Sequence, residues 1–129
     1  MEAPASPRIL IVEDSPLARH VTALALRAAG YRVEGASSLK DAELALLRED
    51  ADLCLLDLIL PDSVGLKSWS RLHQAAPTTP VVVLTGDPDF AELMQARTPV
   101  LTKPVTTHLL VSTVQAVLSG RPPPTPAAS

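Results

Sequence analysis

Leu53-Cys54-Leu55-Leu56-Asp57-Leu58-Ile59-Leu60-Pro61-Asp62-Ser63-Val64-Gly65 is the stretch that decides the fold. Its opening apolar run has no polar interruption, the pattern of a strand covered on both faces in a parallel sheet. The run ends on an acid, Asp57, and Leu60 to Gly65 supply turn chemistry before a helical pattern begins at Leu66. The same grammar recurs on both sides. Arg8-Ile9-Leu10-Ile11-Val12 runs into Glu13-Asp14, Pro80 to Leu84 runs into Thr85, and Pro99 to Thr102 runs into Lys103, where Pro104 breaks the strand. A weaker strand is expected at Tyr31 to Glu34.

Helical patterns lie between these runs. Ser15-Pro16 is an N-cap followed by proline at the first helical position, and Leu17, Val21, Leu24 and Ala28 form the expected buried stripe of the first helix, closed by Gly30. Ser38 to Asp41 matches a capping box, with Leu39, Ala42 and Leu46 as the buried side of the second helix. The third is expected from Leu66 to about Gln74. The fourth is expected to be short, Phe90 to Arg97, after a Gly86–Asp89 loop. The last spans Thr107 to Leu118, with Leu110, Val114 and Val117 inward. Five strands alternating with five helical segments predict an α/β domain, a doubly wound parallel sheet covered on both faces.

Bulk properties narrow the function classes. The 129 residues suit one domain, and a net charge of −3 with no run of Lys or Arg gives no basis for nucleic-acid binding. Tyr31, Trp69 and Phe90 are the only aromatics, so the core is aliphatic and base-stacking surfaces are absent. A lone Cys54 excludes an internal disulfide and suits core packing. No apolar run reaches the roughly 18–20 residues of a membrane helix, and the N-terminus lacks a secretion-signal layout, so a cytoplasmic location is expected. Residues 1–7 read as a loose lead-in, 8–119 as the domain, and 120–129 as a proline-rich tail or linker.

Ligands of doubly wound sheets bind beyond the C-terminal strand ends. Glu13, Asp14, Asp57, Thr85 and Lys103 all fall there. Clustered carboxylates repel unless a cation intervenes, and an all-oxygen set suits Mg²⁺. With Mg²⁺ and the Lys103 ammonium neutralising its oxygens, a phosphoryl group could form on Asp57 as nucleophile, with the Thr85 hydroxyl bonding one of those oxygens.

This ordered set resembles the receiver family of response regulators over residues 8–119. The family's acidic pair resembles Glu13-Asp14. Its Asp-x-x-(Met/Leu)-Pro-x-x-x-Gly motif resembles Asp57-Leu58-Ile59-Leu60-Pro61-Asp62-Ser63-Val64-Gly65, and its hydroxyl and Lys-Pro pair resemble Thr85 and Lys103-Pro104. The resemblance implies a flavodoxin-like (βα)5 sheet in the order 2-1-3-4-5. It implies Mg²⁺ held by Asp14, Asp57 and the Ile59 carbonyl, with Glu13 acting through water, and a cis Lys103–Pro104 bond. It also implies phosphorylation of Asp57 by a histidine kinase or phosphotransfer protein, with conformational readout and no turnover of outside substrates. Pro61, Gly65 and Pro104 are structural in this reading. Two departures stand out: Val100 occupies the place of the family's switch aromatic, and the Thr85–Lys103 interval is short. Two other readings remain at this stage. One is a receiver-like interaction module that takes no phosphate. The other is an Mg²⁺-dependent aspartyl phosphohydrolase, which Ile59 disfavours because a second acid is expected at its position.

Overall fold

The computed structural model describes residues 6–123. Of the lead-in and tail expected from the sequence, residues 1–5 and 124–129 lie outside the described residues. Seven strands and five helices follow one another: β1 (Arg8–Val12), α1 (Pro16–Ala28), β2 (Arg32–Ala36), α2 (Leu39–Arg48), β3 (Leu53–Asp57), β4 (Ile59–Leu60), β5 (Ser63–Val64), α3 (Leu66–Ala75), β6 (Val81–Thr85), α4 (Pro88–Met94), β7 (Val100–Thr102) and α5 (Thr107–Leu118). Five of the strands form one parallel sheet in the order β2-β1-β3-β6-β7, while β4 and β5 form a separate antiparallel hairpin. Counting the sheet strands alone, this is the expected order 2-1-3-4-5.

Alternation along each strand divides the core into two layers. Leu10, Val12, Cys54, Leu56, Val81 and Val83 point into one, which α2, α3 and α4 cover. Ile9, Ile11, Leu53, Leu55, Val82 and Leu84 point into the other, under α1 and α5. Every residue of β1, β3 and β6 is buried. Cys54 is the second residue of β3; burial pushes its thiol up to about 12, against the smaller lowering pull of the Arg8 charge.

Helix α1 departs from expectation. Ser15 caps it as expected, accepting from Ala18 N–H at 3.2 Å, and Gly30 follows its end at φ 100°. The buried residues, however, are Ala23 and Leu26, whereas Leu17, Val21 and Leu24 are 74%, 56% and 52% exposed and Ala28 is exposed as well. The reason lies in composition. Alanines and leucines occur around most of this helix, so helical periodicity is satisfied on two faces. Small Ala23 and Ala25 beside fully buried Leu26 allow close approach to the sheet, which leaves the bulkier stripe outside.

Helix α4 is short, as expected, but it begins at Pro88 rather than Phe90. Asp87 is its N-cap, accepting from Asp89 N–H at 2.8 Å, and Pro88 opens the first turn. Part of the expected Gly86–Asp89 loop is therefore helix.

At the opposite end from the candidate site, buried Arg8 holds the start of the sheet together. Its guanidinium pairs with Glu34 and with Glu49 at 3.2 Å, and its backbone N–H donates to Asp52 at 2.7 Å. Arg8→Ala should lower unfolding stability by about 2 kcal/mol, less than a fully buried pair because Glu34 and Glu49 keep access to water. Arg8→Met, which keeps the packed stem, should lose less. Urea unfolding of the three proteins checks both values.

Candidate functional site

The C-terminal ends of β1, β3, β6 and β7 share one rim because all sheet strands run parallel. The chain immediately after each strand, or its last residue, carries a polar group. Glu13 and Asp14 follow β1, Asp57 ends β3, Thr85 ends β6, and Lys103 follows β7.

Lys103 joins these elements. Its Nζ donates to Asp57 Oδ2 at 2.8 Å and to Glu13 Oε1 at 3.0 Å. The two carboxylates are almost fully buried, Asp57 at 8% and Glu13 at 6% exposure. The second Asp57 oxygen, Oδ1, accepts from Ile59 N–H at 2.9 Å. Glu13 is anchored through its backbone, where its carbonyl accepts from Arg19 at 2.7 Å and its N–H donates to Ala36 O at 3.0 Å. Asp14 is exposed, and carboxylate oxygens of Glu13, Asp14 and Asp57 lie within 4.8 Å of one another. The bond between Lys103 and Pro104 is cis.

Electrostatics follow from this crowding. Burial works to raise the Asp57 carboxyl, but bonds with Glu13, Lys103 and Ile59 N–H outweigh it and hold the group below the usual range. Glu13 moves the other way, raised by burial first and by the facing Asp57, with Lys103 only partly offsetting them. Burial would lower Lys103, yet Asp57 and Glu13 together raise it, so its ammonium is held charged. Asp57 is thus the carboxylate kept ionised at neutral pH. The donor set is entirely hard oxygen, which fits Mg²⁺ and gives a soft metal nothing to prefer.

Thr85 is buried, and its Oγ1 accepts from Asp87 N–H at 3.1 Å. Lys103 N–H donates to the Thr85 carbonyl at 2.8 Å, so the two residues are fixed side by side through the backbone. Pro61 stands in the β4–β5 turn. Gly65 takes φ 75°, and the Phe90 ring lies 3.4 Å from where a Cβ would sit, so glycine meets both a backbone and a steric requirement there. Val100 is partly buried on β7.

One contact and two residue roles escaped the sequence reading. Glu13 forms an ion pair with Lys103, ninety residues distant in sequence, a link that no local pattern signals. Asp62, read only as a turn former, binds the N-terminus of α2 through both oxygens. Asp87 caps α4 while donating to Thr85; Asp87-Pro88 carried the same cap-then-proline signal as Ser15-Pro16.

Fold and rim chemistry together define a class, the doubly wound signalling domains with an acid cluster and one lysine at the strand ends. The sequence pattern of the response regulator receiver domain matches residues 9–115. Over 116 residues the chain is 34% identical to the transcriptional regulatory protein GltR of Pseudomonas aeruginosa, covering 85% of this chain and 48% of GltR. Over 115 residues it is 31% identical to the virulence transcriptional regulatory protein PhoP of Salmonella typhimurium, covering 86% of this chain and 51% of PhoP. The chain therefore spans about half the length of these relatives. Among solved structures, a response regulator of Chloroflexus aurantiacus superposes with a TM-score of 0.81 at 29% identity, over 88% of this chain and 98% of that one. The chemotaxis protein CheY4 of Vibrio cholerae gives 0.79 at 27% identity, over 88% and 99%. The chain belongs to the response regulator receiver domain family.

Removing the lysine charge gives a signed test of the electrostatics. In Lys103→Met, Asp57 and Glu13 face each other without a cation, so one carboxyl acquires a folded pKa above its unfolded value. A raised carboxyl pKa is a penalty present above the folded pKa and relieved as pH falls through it. The variant should be less stable than wild type by about 2 kcal/mol at pH 7, a partly exposed lysine discounting the value for a buried pair. The gap should narrow toward pH 5, as thermal unfolding at a series of pH values in metal-free buffer will show.

Proposed function

We propose that residues 8–119 act as a phosphoacceptor receiver in two-component signalling, with Asp57 accepting the phosphoryl group from a phosphohistidine on a histidine kinase or phosphotransfer protein. The observation that carries this reading is the Lys103 ammonium 2.8 Å from Asp57 Oδ2, beside Glu13 and Asp14. In the transfer, the donor's P–N bond breaks as an Asp57 O–P bond forms, and the donor imidazole leaves neutral after taking a proton. Asp57, kept ionised, needs no base to activate it. Lys103 meets charge on the phosphoryl oxygens, and Thr85 offers its hydroxyl to one of them. Asp14, Asp57 and the Ile59 carbonyl are the proposed Mg²⁺ ligands, with Glu13 acting through water. When bound, the ion supplies further neutralisation of the phosphoryl oxygens. The domain is a switch that acts on itself, working in the cytoplasm without direct nucleic-acid contact. Among the described residues no helix is long and apolar enough to cross a membrane.

Readout in this proposal starts at Thr85. Its hydroxyl accepts from Asp87 N–H, and Asp87 caps α4, whose Phe90 packs beside Gly65. Turning the hydroxyl toward a phosphoryl oxygen releases the Asp87 amide at the start of a seven-residue helix. Phe90 then stands where an aromatic can report the change, while Val100 on β7 has no ring to turn.

The exposed stripe of α1 supports a partner surface. Leu17 and Val21 line an open groove of about 540 Å³ whose wall also includes Glu13, Lys103 and Val105. An apolar strip leading to the phosphoacceptor suits a helical donor that presents its histidine from the side.

Two results are expected. Acetyl phosphate with Mg²⁺ should add one phosphoryl group to wild type and none to Asp57→Asn by intact mass; equal labelling of both removes the assignment. Leu17→Glu with Val21→Glu should slow transfer from a phosphorylated histidine partner at least about tenfold, the effect of losing an apolar hot spot. Labelling of that variant by acetyl phosphate should stay within about twofold of wild type, since the small donor needs no docking face.

A further inference from the structure

The first four N–H groups of a helix lack partners within it. In α2 all four are satisfied, two of them locally and two from a distant segment. Asp41 N–H donates to Ser38 Oγ at 3.1 Å and Ala42 N–H to Ser38 O at 3.1 Å. The other two, Leu39 N–H and Lys40 N–H, donate to Oδ1 and Oδ2 of Asp62, each at 3.0 Å. Asp62 lies more than twenty residues away in sequence, in the turn of the β4–β5 hairpin. Ser38 is the cap that stabilises the helix by itself; Asp62 ties the helix to something else.

What it ties is the loop next to the phosphoacceptor. In the hairpin Ile59 pairs with Val64 and Leu60 with Ser63, Gly65 N–H donates to Leu58 O at 2.7 Å, and Ser68 Oγ bonds Ser63 Oγ at 2.9 Å. These bonds hold the hairpin to itself and to α3. The Asp62 pair is its attachment to α2, and both oxygens are committed. Burial works to raise this carboxyl, but the Leu39 and Lys40 amides, with its own backbone N–H and the Arg71 charge, together outweigh it and hold the group below the usual range, so the clamp is charged at neutral pH.

We infer that Asp62 is a positioning residue that braces the Ile59-bearing hairpin against α2 and thereby sets the affinity of the acid cluster for Mg²⁺. The metal half of this inference rests on the reading proposed above, in which the Ile59 carbonyl is a ligand. Groups that orient metal ligands without touching the metal commonly govern affinity as strongly as this requires.

Mg²⁺ titration by calorimetry on wild type, Asp62→Ala, Asp62→Asn and Ser38→Ala tests it, together with amide hydrogen exchange of residues 58–65 in metal-free protein. Asp62→Ala should weaken Mg²⁺ binding about tenfold and speed exchange in that segment. Asp62→Asn, with a single acceptor oxygen, should fall between. Ser38→Ala loosens the same helix start yet should stay within about twofold of wild type, a contrast a purely structural role would not produce. Mg²⁺ affinity unchanged in Asp62→Ala, or lowered equally in Ser38→Ala, overturns the inference. A wild type that takes up no Mg²⁺ strikes the proposed function instead; unchanged metal-free exchange in Asp62→Ala then still overturns the brace.

Discussion

One ammonium group makes the arrangement of this rim possible. Two nearly buried carboxylates, Asp57 and Glu13, face each other across the ends of β3 and β1, and without Lys103 at least one would surrender its charge. The lysine reaches them from the strand at the far edge of the sheet, so the sheet order is itself a condition of the electrostatics. A parallel strand inserted or lost between β3 and β7 would move the cation out of range. The fold therefore sets the spacing at which an acid can remain ionised in a largely dry setting.

Around this centre, several neighbouring segments contribute contacts that involve the backbone. Arg19 of α1 reaches the Glu13 carbonyl, Ile59 N–H meets Asp57, and Asp87 N–H meets Thr85. None of these contacts is strong alone, because a typical hydrogen bond contributes about 1 kcal/mol net. With Lys103 on one oxygen and Ile59 N–H on the other, the Asp57 carboxylate has little freedom to turn. Preorganisation of this kind matters in phosphoryl transfer, where positioning and charge do most of the work.

The strands were the most legible part of the sequence. Leu53–Leu56 and Val81–Leu84 are apolar without alternation, and only a sheet covered on both faces buries such runs. The polar residues that follow them revealed the rim for the same reason. Helix α1 was misread because alanines and leucines occur around most of it, so the period identifies a helix without choosing its inward face. Asp62 and the Glu13–Lys103 pair were not legible, since their partners come from distant segments and a turn acid looks alike whether or not it binds a helix. Local grammar thus named the candidate residues that gather at the rim, and tertiary contacts decided which of them touch.

Cys54 shares β3 with Asp57 and sits three positions before it, at the centre of one core layer. Its thiol is raised to about 12, so in the native state almost none of it is the reactive thiolate. An alkylating reagent meets that sulfur only when β3 comes away from its neighbours, an event that also dismantles the rim. The single thiol therefore serves as an internal clock: its rate of covalent capture counts how often the molecule abandons the conformation in which the rim is assembled.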